Sequence, residues 1–354
     1  MLDFPRDQVP VETVPGERLR VLIGHRPPAP AVRYVDQIVG DDPSDIDFRF
    51  FGGMLKQFDV DVVQLVDPIR ALGPRKTAEQ RRAQALQLVQ TLAEHRIALV
   101  QTVLPGTADE SVHGGPSDDS RMIIDRATDA FIALDDVTAT PDPARTTVIP
   151  HRHYRDRFVG YPRDAQVPGR LLSVSRAGLA RAAQGPLKVF SLTHTPGLSL
   201  RVVGDGDFGL DELAARAIAR TPETVSARLE HVSDAQLVNQ ISAAEMVFLP
   251  DPASLDDLST LLLTLSLDRP VVLPSSPTAR RLAEQVGTGW VHCLPSPLTA
   301  ELLDNTITAV RTTPRAPRPD LRGRDADAVA ARYAALYRAV AERVRLAAPR
   351  VLAV

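Results

Sequence analysis

The chain has 354 residues, 44% of them hydrophobic and 24% charged, with a formal net charge of -3 and a pI near 6.3. These values are ordinary for a soluble globular protein and give no electrostatic reason to expect a nucleic-acid partner. The single cysteine, Cys293, excludes an internal disulfide and a cysteine-based zinc site, and it favours a reducing compartment.

The length favours two domains over one, since a single hydrophobic core rarely grows beyond ~300 residues. No apolar run approaches the ~20 residues that a membrane-spanning helix needs, and residues 1–15 are polar and interrupted by proline, unlike a signal peptide. We therefore expect a cytoplasmic protein. Membrane contact, if it occurs, is expected to be peripheral, at the inner face of the plasma membrane.

The first part of the chain alternates short apolar runs with one long amphipathic segment. The segment 77–95 carries apolar residues at helical spacing and predicts a helix. The apolar runs predict strands at residues 18–23, 47–51, 60–66, 98–103, 131–134 and 147–149. This alternation is typical of a doubly wound α/β domain, which ends near residue 150.

A break in the pattern at residues 161–169, with Pro162, Pro168 and Gly169, predicts a linker between domains. After it, strands are predicted at 171–173, 198–203, 226–231, 246–249, 271–273 and 290–293, alternating with helices at 180–192, 210–219, 235–244, 256–268 and 279–286. A last amphipathic helix is predicted at 326–344. The expected domains are 1–160, 161–322 and a C-terminal helix in 323–354 that packs back on the first domain.

The stretch 250–274 follows a predicted buried strand, and its sequence predicts a loop, then a helix, then a strand. Its helix begins near Asp256, Asp257 and Ser259. A strand that feeds a helix N-terminus is where open α/β sheets bind phosphate, because free N–H groups and the helix dipole point at the anion. Two α/β halves in tandem therefore predict a ligand in the cleft between them.

Several motifs together resemble a known family. They are Ile149-Pro150-His151-Arg152-His153-Tyr154-Arg155-Asp156 and the segments 161–163, 167–172, 200–204, 261–270 and 287–292. The chain resembles actinobacterial nucleotide-sugar glycosyltransferases of the GT-B fold, near retaining glycosyltransferase family four, over roughly its whole length. The resemblance implies two Rossmann-like domains, with the acceptor on the first and the nucleotide-sugar donor on the second.

The resemblance also implies a donor diphosphate site in the second domain. The family's Arg-Pro-Tyr-Lys-Gly turn corresponds to residues 178–182, where Arg181 can replace the lysine and Arg176 lies close in sequence. Ser259 and Thr260 stand where relatives carry small phosphate-binding residues, but Asp256 and Asp257 beside them oppose an incoming anion. The alternative is that both arginines are solvated at a helix start.

The resemblance assigns the nucleotide base and ribose to Gly204, Glu230, His231 and Val232, partly through backbone contacts. His151, His153 and Tyr154 are the candidate catalytic residues, by hydrogen bonding or proton transfer to a sugar. The alternative reading is that these three residues hold the two domains together. In the first domain, residues 64–68 and 102–105 lack the histidines of the family's cleft.

The resulting hypothesis is a glycosyltransferase that moves a sugar from a nucleotide sugar to a glycan or lipid-linked acceptor in polysaccharide biosynthesis, and the resemblance implies a retaining reaction. The altered motifs leave a second hypothesis open, a catalytically degenerate GT-B protein that is the partner or sensor of an active glycosyltransferase. A sugar-nucleotide epimerase does not match the linker motif. No cofactor is expected, and although His151, His153 and Asp156 have metal-compatible spacing, structural packing is favoured over a metal site.

Overall fold

The computed structural model describes residues 18–24, 38, 46–51, 59–66, 68–73, 76–104, 119–175, 180–251, 255–295 and 297–347. Within these residues the chain forms two six-stranded parallel sheets, each covered by helices. The predicted fold class is therefore confirmed. Strands of the first sheet lie between residues 19 and 148, and strands of the second lie between 170 and 294.

The first sheet has the strand order β2-β1-β3-β4-β5-β6. Its strands are β1 (Leu19–Gly24), β2 (Ile46–Phe51), β3 (Val62–Leu65), β4 (Ala98–Val103), β5 (Ala130–Ala133) and β6 (Thr146–Val148). The helices between them are α1 (Pro68–Leu72), α2 (Ala78–Glu94) and α3 (Ser120–Ala127). Every residue of β4 is buried, as expected for a central strand covered on both faces.

The second sheet has the order β12-β11-β10-β7-β8-β9. Its strands are β7 (Arg170–Ser175), β8 (Ser199–Gly204), β9 (Val225–Arg228), β10 (Met246–Phe248), β11 (Val271–Pro274) and β12 (Val291–Leu294). Its helices are α4 (Ala180–Val189), α5 (Phe208–Arg220), α6 (Asp234–Ala243), α7 (Leu255–Ser266), α8 (Pro277–Val286) and α9 (Ala300–Thr312). The order reverses between β7 and β10, which is the ligand-binding position of a doubly wound sheet.

The last helix, α10 (Ala326–Leu346), returns to the first domain and packs against β3 and β4. Tyr337 is fully buried there, and its hydroxyl donates a hydrogen bond to Gln64 Oε1. The amide of Gln64 in turn donates to Thr102 Oγ1 at 2.9 Å. At the far end of the helix, Arg345 pairs with Asp61 at 2.6 Å. The C-terminal helix is thus part of the first domain's core.

Helix α7 is central to the molecule, since every residue from Asp257 to Leu267 is buried. Its hydroxyls bond within the helix: Thr264 Oγ1 donates to the carbonyl of Thr260, and Ser266 Oγ donates to that of Leu262. One hydrophobic cluster continues from the first sheet through α7 to α10. The helix therefore joins the two domains as well as covering the second sheet.

Just after α7 the backbone enters the left-handed region at Asp268, with φ of 55°. The amide of Asp268 bonds to the carbonyl of Leu265, and that of Arg269 bonds to Thr264, the pattern of a Schellman C-cap. The Asp268 carboxylate lies 3.7 Å from Arg155 and 3.1 Å from Arg318. Asp268 thus accepts some backbone strain at a position where its side chain contacts both chain segments that connect the domains.

Candidate functional site

The candidate site lies where the carboxyl ends of the two sheets' strands meet. Because all strands within each sheet are parallel, the residues that follow them collect at one edge. From the first sheet these are Asp135, after β5, and the segment 149–151, after β6. From the second sheet they are the turn at Gly204, the segment 229–232 after β9, and the start of α7.

His151 is the point at which the segment after β6 contacts α7. Its Nε2 lies 3.0 Å from Ser259 Oγ, and its Nδ1 lies 3.0 Å from the carbonyl of Arg152. Since a carbonyl only accepts, Nδ1 carries the proton and Nε2 accepts from the serine hydroxyl. Burial, with the nearby Arg324 and Arg152 charges, lowers the pKa of His151 to about 3 despite the opposing bond to the carbonyl. The imidazole is therefore neutral at physiological pH.

His153 and Tyr154 are also packed into the junction. The backbone amide of His153 donates to the carbonyl of Arg324, and its Nε2 lies 3.2 Å from Asp325 at the start of α10. The amide of Tyr154 donates to Ser266 Oγ at 2.9 Å, and the tyrosine ring stacks on Phe158. These contacts support the interpretation that the segment holds the two domains together. The catalytic role of His153 and Tyr154 stays a prediction.

Arg324 connects the return segment to this junction. Its Nη1 donates to the carbonyl of His151 at 2.9 Å, and its Nη2 donates to Gln285 at the end of α8. Burial lowers the pKa of Arg324 to about 10, with the Asp135 carboxylate opposing the shift, so the guanidinium stays charged. Arg324 lies in an irregular segment, and its partner His151 is 173 residues away along the chain, so no local sequence pattern indicates its role.

The predicted diphosphate residues are only partly described. Ser259 and Thr260 are buried within α7, and Ser259 contacts His151. Arg176 lies outside the described residues. Arg181 lies in the first turn of α4, with its side chain outside the described part. Whether these four residues meet one anion therefore stays a prediction.

The predicted base and ribose residues lie at adjacent strand ends, since β8 and β9 pair side by side. Gly204 ends β8, and Ser175 Oγ of β7 donates to the carbonyl of Asp205 at 2.6 Å. Glu230 and His231 are exposed, Glu230 pairs with Arg228, and Val232 is buried. An exposed segment beside a glycine turn leaves its backbone accessible, as base recognition would require.

Gly204 is expected to tolerate no side chain. Its φ is 110°, and an added Cβ would lie 2.1 Å from the backbone carbonyl oxygen of Ser175. We expect Gly204→Ala to lower the free energy of unfolding by about 2–3 kcal/mol, from backbone strain and this overlap. Urea denaturation followed by circular dichroism measures the loss.

The matched control is Gly160→Ala, at φ of 81° with no atom within 4 Å of the added Cβ. Because only the backbone strain is present there, we expect a loss of ~1 kcal/mol. Equal losses at the two positions would show that the approach of β7 to the Gly204 turn does not constrain the site.

One predicted site residue lines a cavity. His153 lies on a cavity of about 380 Å³ together with Arg152, Arg157, Tyr161 and Asp234, the first residue of α6. Within the described ranges there is no group of three or more histidine, cysteine or acidic residues that could hold a metal ion.

Comparison with curated proteins finds a sequence relative. The chain is 37% identical over 205 residues to the GDP-mannose:glycolipid 4-beta-D-mannosyltransferase of Xanthomonas campestris pv. campestris. The match covers 57% of this chain and 57% of the relative, so the chain spans little more than half the length of the enzyme it matches. No family model matches the chain.

Solved structures share the fold over almost the whole chain. Anabaena Alr3699/HepE in complex with UDP has a TM-score of 0.59 at 13% identity, covering 93% of this chain and 97% of that one. The UDP-GlcNAc 2-epimerase of Methanocaldococcus jannaschii has a TM-score of 0.53 at 10% identity, covering 90% and 99%. The predicted GT-B fold is therefore confirmed, and the sequence match to the Xanthomonas enzyme confirms the resemblance to a nucleotide-sugar glycosyltransferase. Since an epimerase shares this fold, the fold alone does not determine which reaction is catalysed.

In the parts of the chain that the structure describes, no helix has the length and apolar character needed to cross a bilayer.

Proposed function

We propose that the chain is a glycosyltransferase that moves a sugar from a nucleotide diphosphate donor to a glycan or lipid-linked acceptor, in polysaccharide biosynthesis. The observation that carries the proposal is the 37% identity over 205 residues to a mannosyltransferase. Its name supplies the first substrates to test, GDP-mannose as donor and a glycolipid as acceptor. UDP, which Anabaena HepE binds, supplies the alternative nucleotide.

The GT-B fold supports this proposal because the strand ends of its two sheets offer separate edges for a donor and an acceptor. In the second sheet the Gly204 turn and the exposed segment Glu230–His231 offer backbone groups to a nucleotide. The N-terminus of α7 follows β10 at the point where the strand order reverses, so its dipole favours an anion there. Arg176 and Arg181 are proposed to supply positive charge that attracts the diphosphate. This charge is needed because the carboxylate of the buried Asp257 repels an anion.

The direct test is calorimetric titration of the full chain with GDP and UDP, with and without magnesium, followed by a transfer assay with radiolabelled GDP-mannose and a lipid extract. We expect saturable binding of one nucleotide and label in the lipid phase. In the Arg181→Ala variant the affinity is expected to fall about tenfold, because a guanidinium can bind phosphate through two hydrogen bonds.

The control is Arg220→Ala, which removes an exposed arginine at the end of α5 and should leave nucleotide affinity unchanged. If neither nucleotide binds at high micromolar concentration, the donor site is not functional. If Arg181→Ala and Arg220→Ala bind nucleotide equally well, the diphosphate is held elsewhere.

Retention at the transferred sugar is a separate, finer proposal. The Xanthomonas relative is named for a beta linkage. An alpha-linked donor that yields a beta-linked product has undergone inversion, whereas retention requires an alpha-linked product. Proton NMR of the anomeric signal of the product decides between the two outcomes, independently of which acceptor is used.

A specific observation keeps the degenerate GT-B alternative in view. His151, Ser259 and Thr260, three of the residues predicted for the site, are each no more than 1% exposed. Nucleotide binding without transfer or hydrolysis of the donor, together with co-purification of an active glycosyltransferase, would favour the partner or sensor role. Turnover by the isolated chain would exclude it.

The remaining proposal concerns the membrane. A lipid-linked acceptor would bring the chain to a lipid surface, and we propose peripheral contact at the inner face of the plasma membrane. Flotation with vesicles of anionic and of neutral lipid tests this contact, and the absence of the chain from both floated fractions would contradict it.

A further inference from the structure

The two chain segments that connect the domains meet near the end of α7 and carry many arginines. One segment runs through residues 155–163, and the other runs from the last turn of α9 through residue 319. Nη2 of Arg155 donates a hydrogen bond to the carbonyl of Pro319 at 2.8 Å, so the two segments are in contact. Together with the end of α7 they form what we call the arginine surface, whose members are Arg155, Arg163, Arg269, Arg311, Arg315 and Arg318.

Carboxylates neutralise only part of this charge. The carboxylate of Asp268 lies 3.7 Å from Arg155 and 3.1 Å from Arg318, so two arginines share it. Glu245 accepts from both Nε and Nη2 of Arg311, at 2.7 and 3.0 Å. The other charged residues of the two segments are Asp156, Asp164, Asp320, Arg157 and Arg322. With these included, eight arginines meet five carboxylates, and the surface keeps a positive charge.

Three arginines of the surface form no ion pair with any residue that the structure describes. Arg163 and Arg315 are exposed, and Arg269 is half-buried with its guanidinium bonded to the carbonyl of Ser242. Burial lowers the pKa of Arg269; the neighbouring Asp268 opposes this shift, and the charges of Arg315 and Arg163 add to it. The three like charges therefore repel one another, and an anion that contacted them would relieve this repulsion.

Exposed apolar side chains lie between these cations. Val159 is 75% exposed and Tyr161 is 39% exposed, and both belong to the segment between Arg155 and Arg163. An aliphatic side chain gains nothing from the phosphates of a nucleic acid, whereas it is stabilised when it enters the headgroup region of a bilayer. Tyrosine is also favoured at that level, because its ring is apolar and its hydroxyl is polar. Cations around exposed apolar groups thus fit a lipid surface better than a nucleic acid.

We propose that the arginine surface binds the headgroups of anionic lipids, with Val159 and Tyr161 at the level of the headgroups. The inference rests on the membrane contact proposed above and names the surface that makes it, and it requires neither a nucleotide nor sugar transfer. Tyr161 also lines the cavity of about 380 Å³ that contains His153. A bound lipid surface would therefore lie next to the junction between the domains.

The test is flotation of the full chain with vesicles of equal parts phosphatidylglycerol and phosphatidylcholine, and with vesicles of phosphatidylcholine alone. We expect the chain to float only with the anionic vesicles, and less of it as the salt concentration rises. The double variant Arg163→Gln/Arg315→Gln is expected to lower the partition coefficient about 25-fold, roughly fivefold for each arginine. Val159→Asp, which removes an exposed apolar group and adds a negative charge, should lower it about tenfold.

The matched control is Arg332→Gln/Arg343→Gln, which removes the same charge from exposed positions of α10 and should bind the vesicles like the wild type. Circular dichroism confirms that each variant is folded. If the wild type floats with neither vesicle, the proposed membrane contact fails together with this surface.

Two other outcomes would overturn the surface alone. If the wild type floats but the Arg163/Arg315 and Val159 variants float equally well, or if the control weakens binding as much as they do, the membrane contact stands and another surface makes it. If a single-stranded oligonucleotide at an equal concentration of phosphate displaces the chain from the vesicles, the arginine surface prefers nucleic acid to lipid.

Discussion

Replacing Tyr337 with alanine is expected to lower the free energy of unfolding by ~3–5 kcal/mol, the usual cost of deleting a buried aromatic side chain. Tyr337 is fully buried between α10 and the first sheet, with Phe48 edge-on to its ring at 6.4 Å and Tyr333 at 5.9 Å. The variant also removes the hydroxyl that donates to Gln64. Urea denaturation at neutral pH, followed by circular dichroism, measures the loss.

Two further variants separate the contributions to this loss. Tyr337→Phe keeps the ring and removes only the hydrogen bond, so we expect a loss of about 1–2 kcal/mol. Arg343→Ala changes an exposed residue of the same helix and should stay within ~0.5 kcal/mol of wild type. If Tyr337→Ala also stayed within 1 kcal/mol at an unchanged m-value, α10 would not belong to the cooperative core.

The fold was predictable because buried parallel strands are short apolar runs. The predicted strand 98–103 coincides with β4, and the other predicted strands overlap observed ones within a few residues. Three helices were missed, for different reasons. α1 has only five residues. α3 has only eight residues and follows a segment rich in glycine, serine and aspartate. The sequence of α9 does contain a helical pattern, since its buried residues Leu303, Ile307 and Val310 recur at helical spacing.

The candidate site was less predictable because it depends on contacts between distant parts of the chain. The sequence placed His151 at the cleft-facing end of a strand, but its burial results from Ser259 and Arg324, more than a hundred residues away. Asp135 lies two residues after the end of β5, a position that the sequence pattern identifies as a strand-end carboxylate.

Replacing His151 with glutamine is expected to make the protein less sensitive to mild acid. In the folded chain the pKa of His151 is about 3, against 6.5 for a solvated imidazole. Between these values the unfolded state binds a proton that the folded state does not, so the free energy of unfolding decreases as pH falls below 6.5. The complete shift corresponds to roughly 5 kcal/mol, of which about 2–3 kcal/mol falls between pH 6.5 and 4.5.

The measurement is the free energy of unfolding of both proteins in urea at several pH values from 7 to 4.5. Over this range wild type should lose ~2–3 kcal/mol more than His151→Gln. The carboxyl groups and the other histidines, including His292, whose pKa is also lowered by burial, contribute equally to both proteins. Ser259→Ala is the control: it removes the hydroxyl bond but leaves the imidazole buried, so stability decreases by ~1 kcal/mol while the pH dependence is retained.

The same pair of proteins tests what His151 does. In an imidazole that stays neutral down to about pH 3, the Nδ1 proton is engaged by the Arg152 carbonyl and the Nε2 lone pair by Ser259, so neither nitrogen is available for proton transfer to a substrate. If wild type and His151→Gln instead lost stability in parallel, the pKa of the folded imidazole would lie near 6.5, and the imidazole would be protonated in mild acid. A charged His151 beside the start of α7 would then be available to an anionic donor, and its predicted catalytic role would be favoured over joining the two domains.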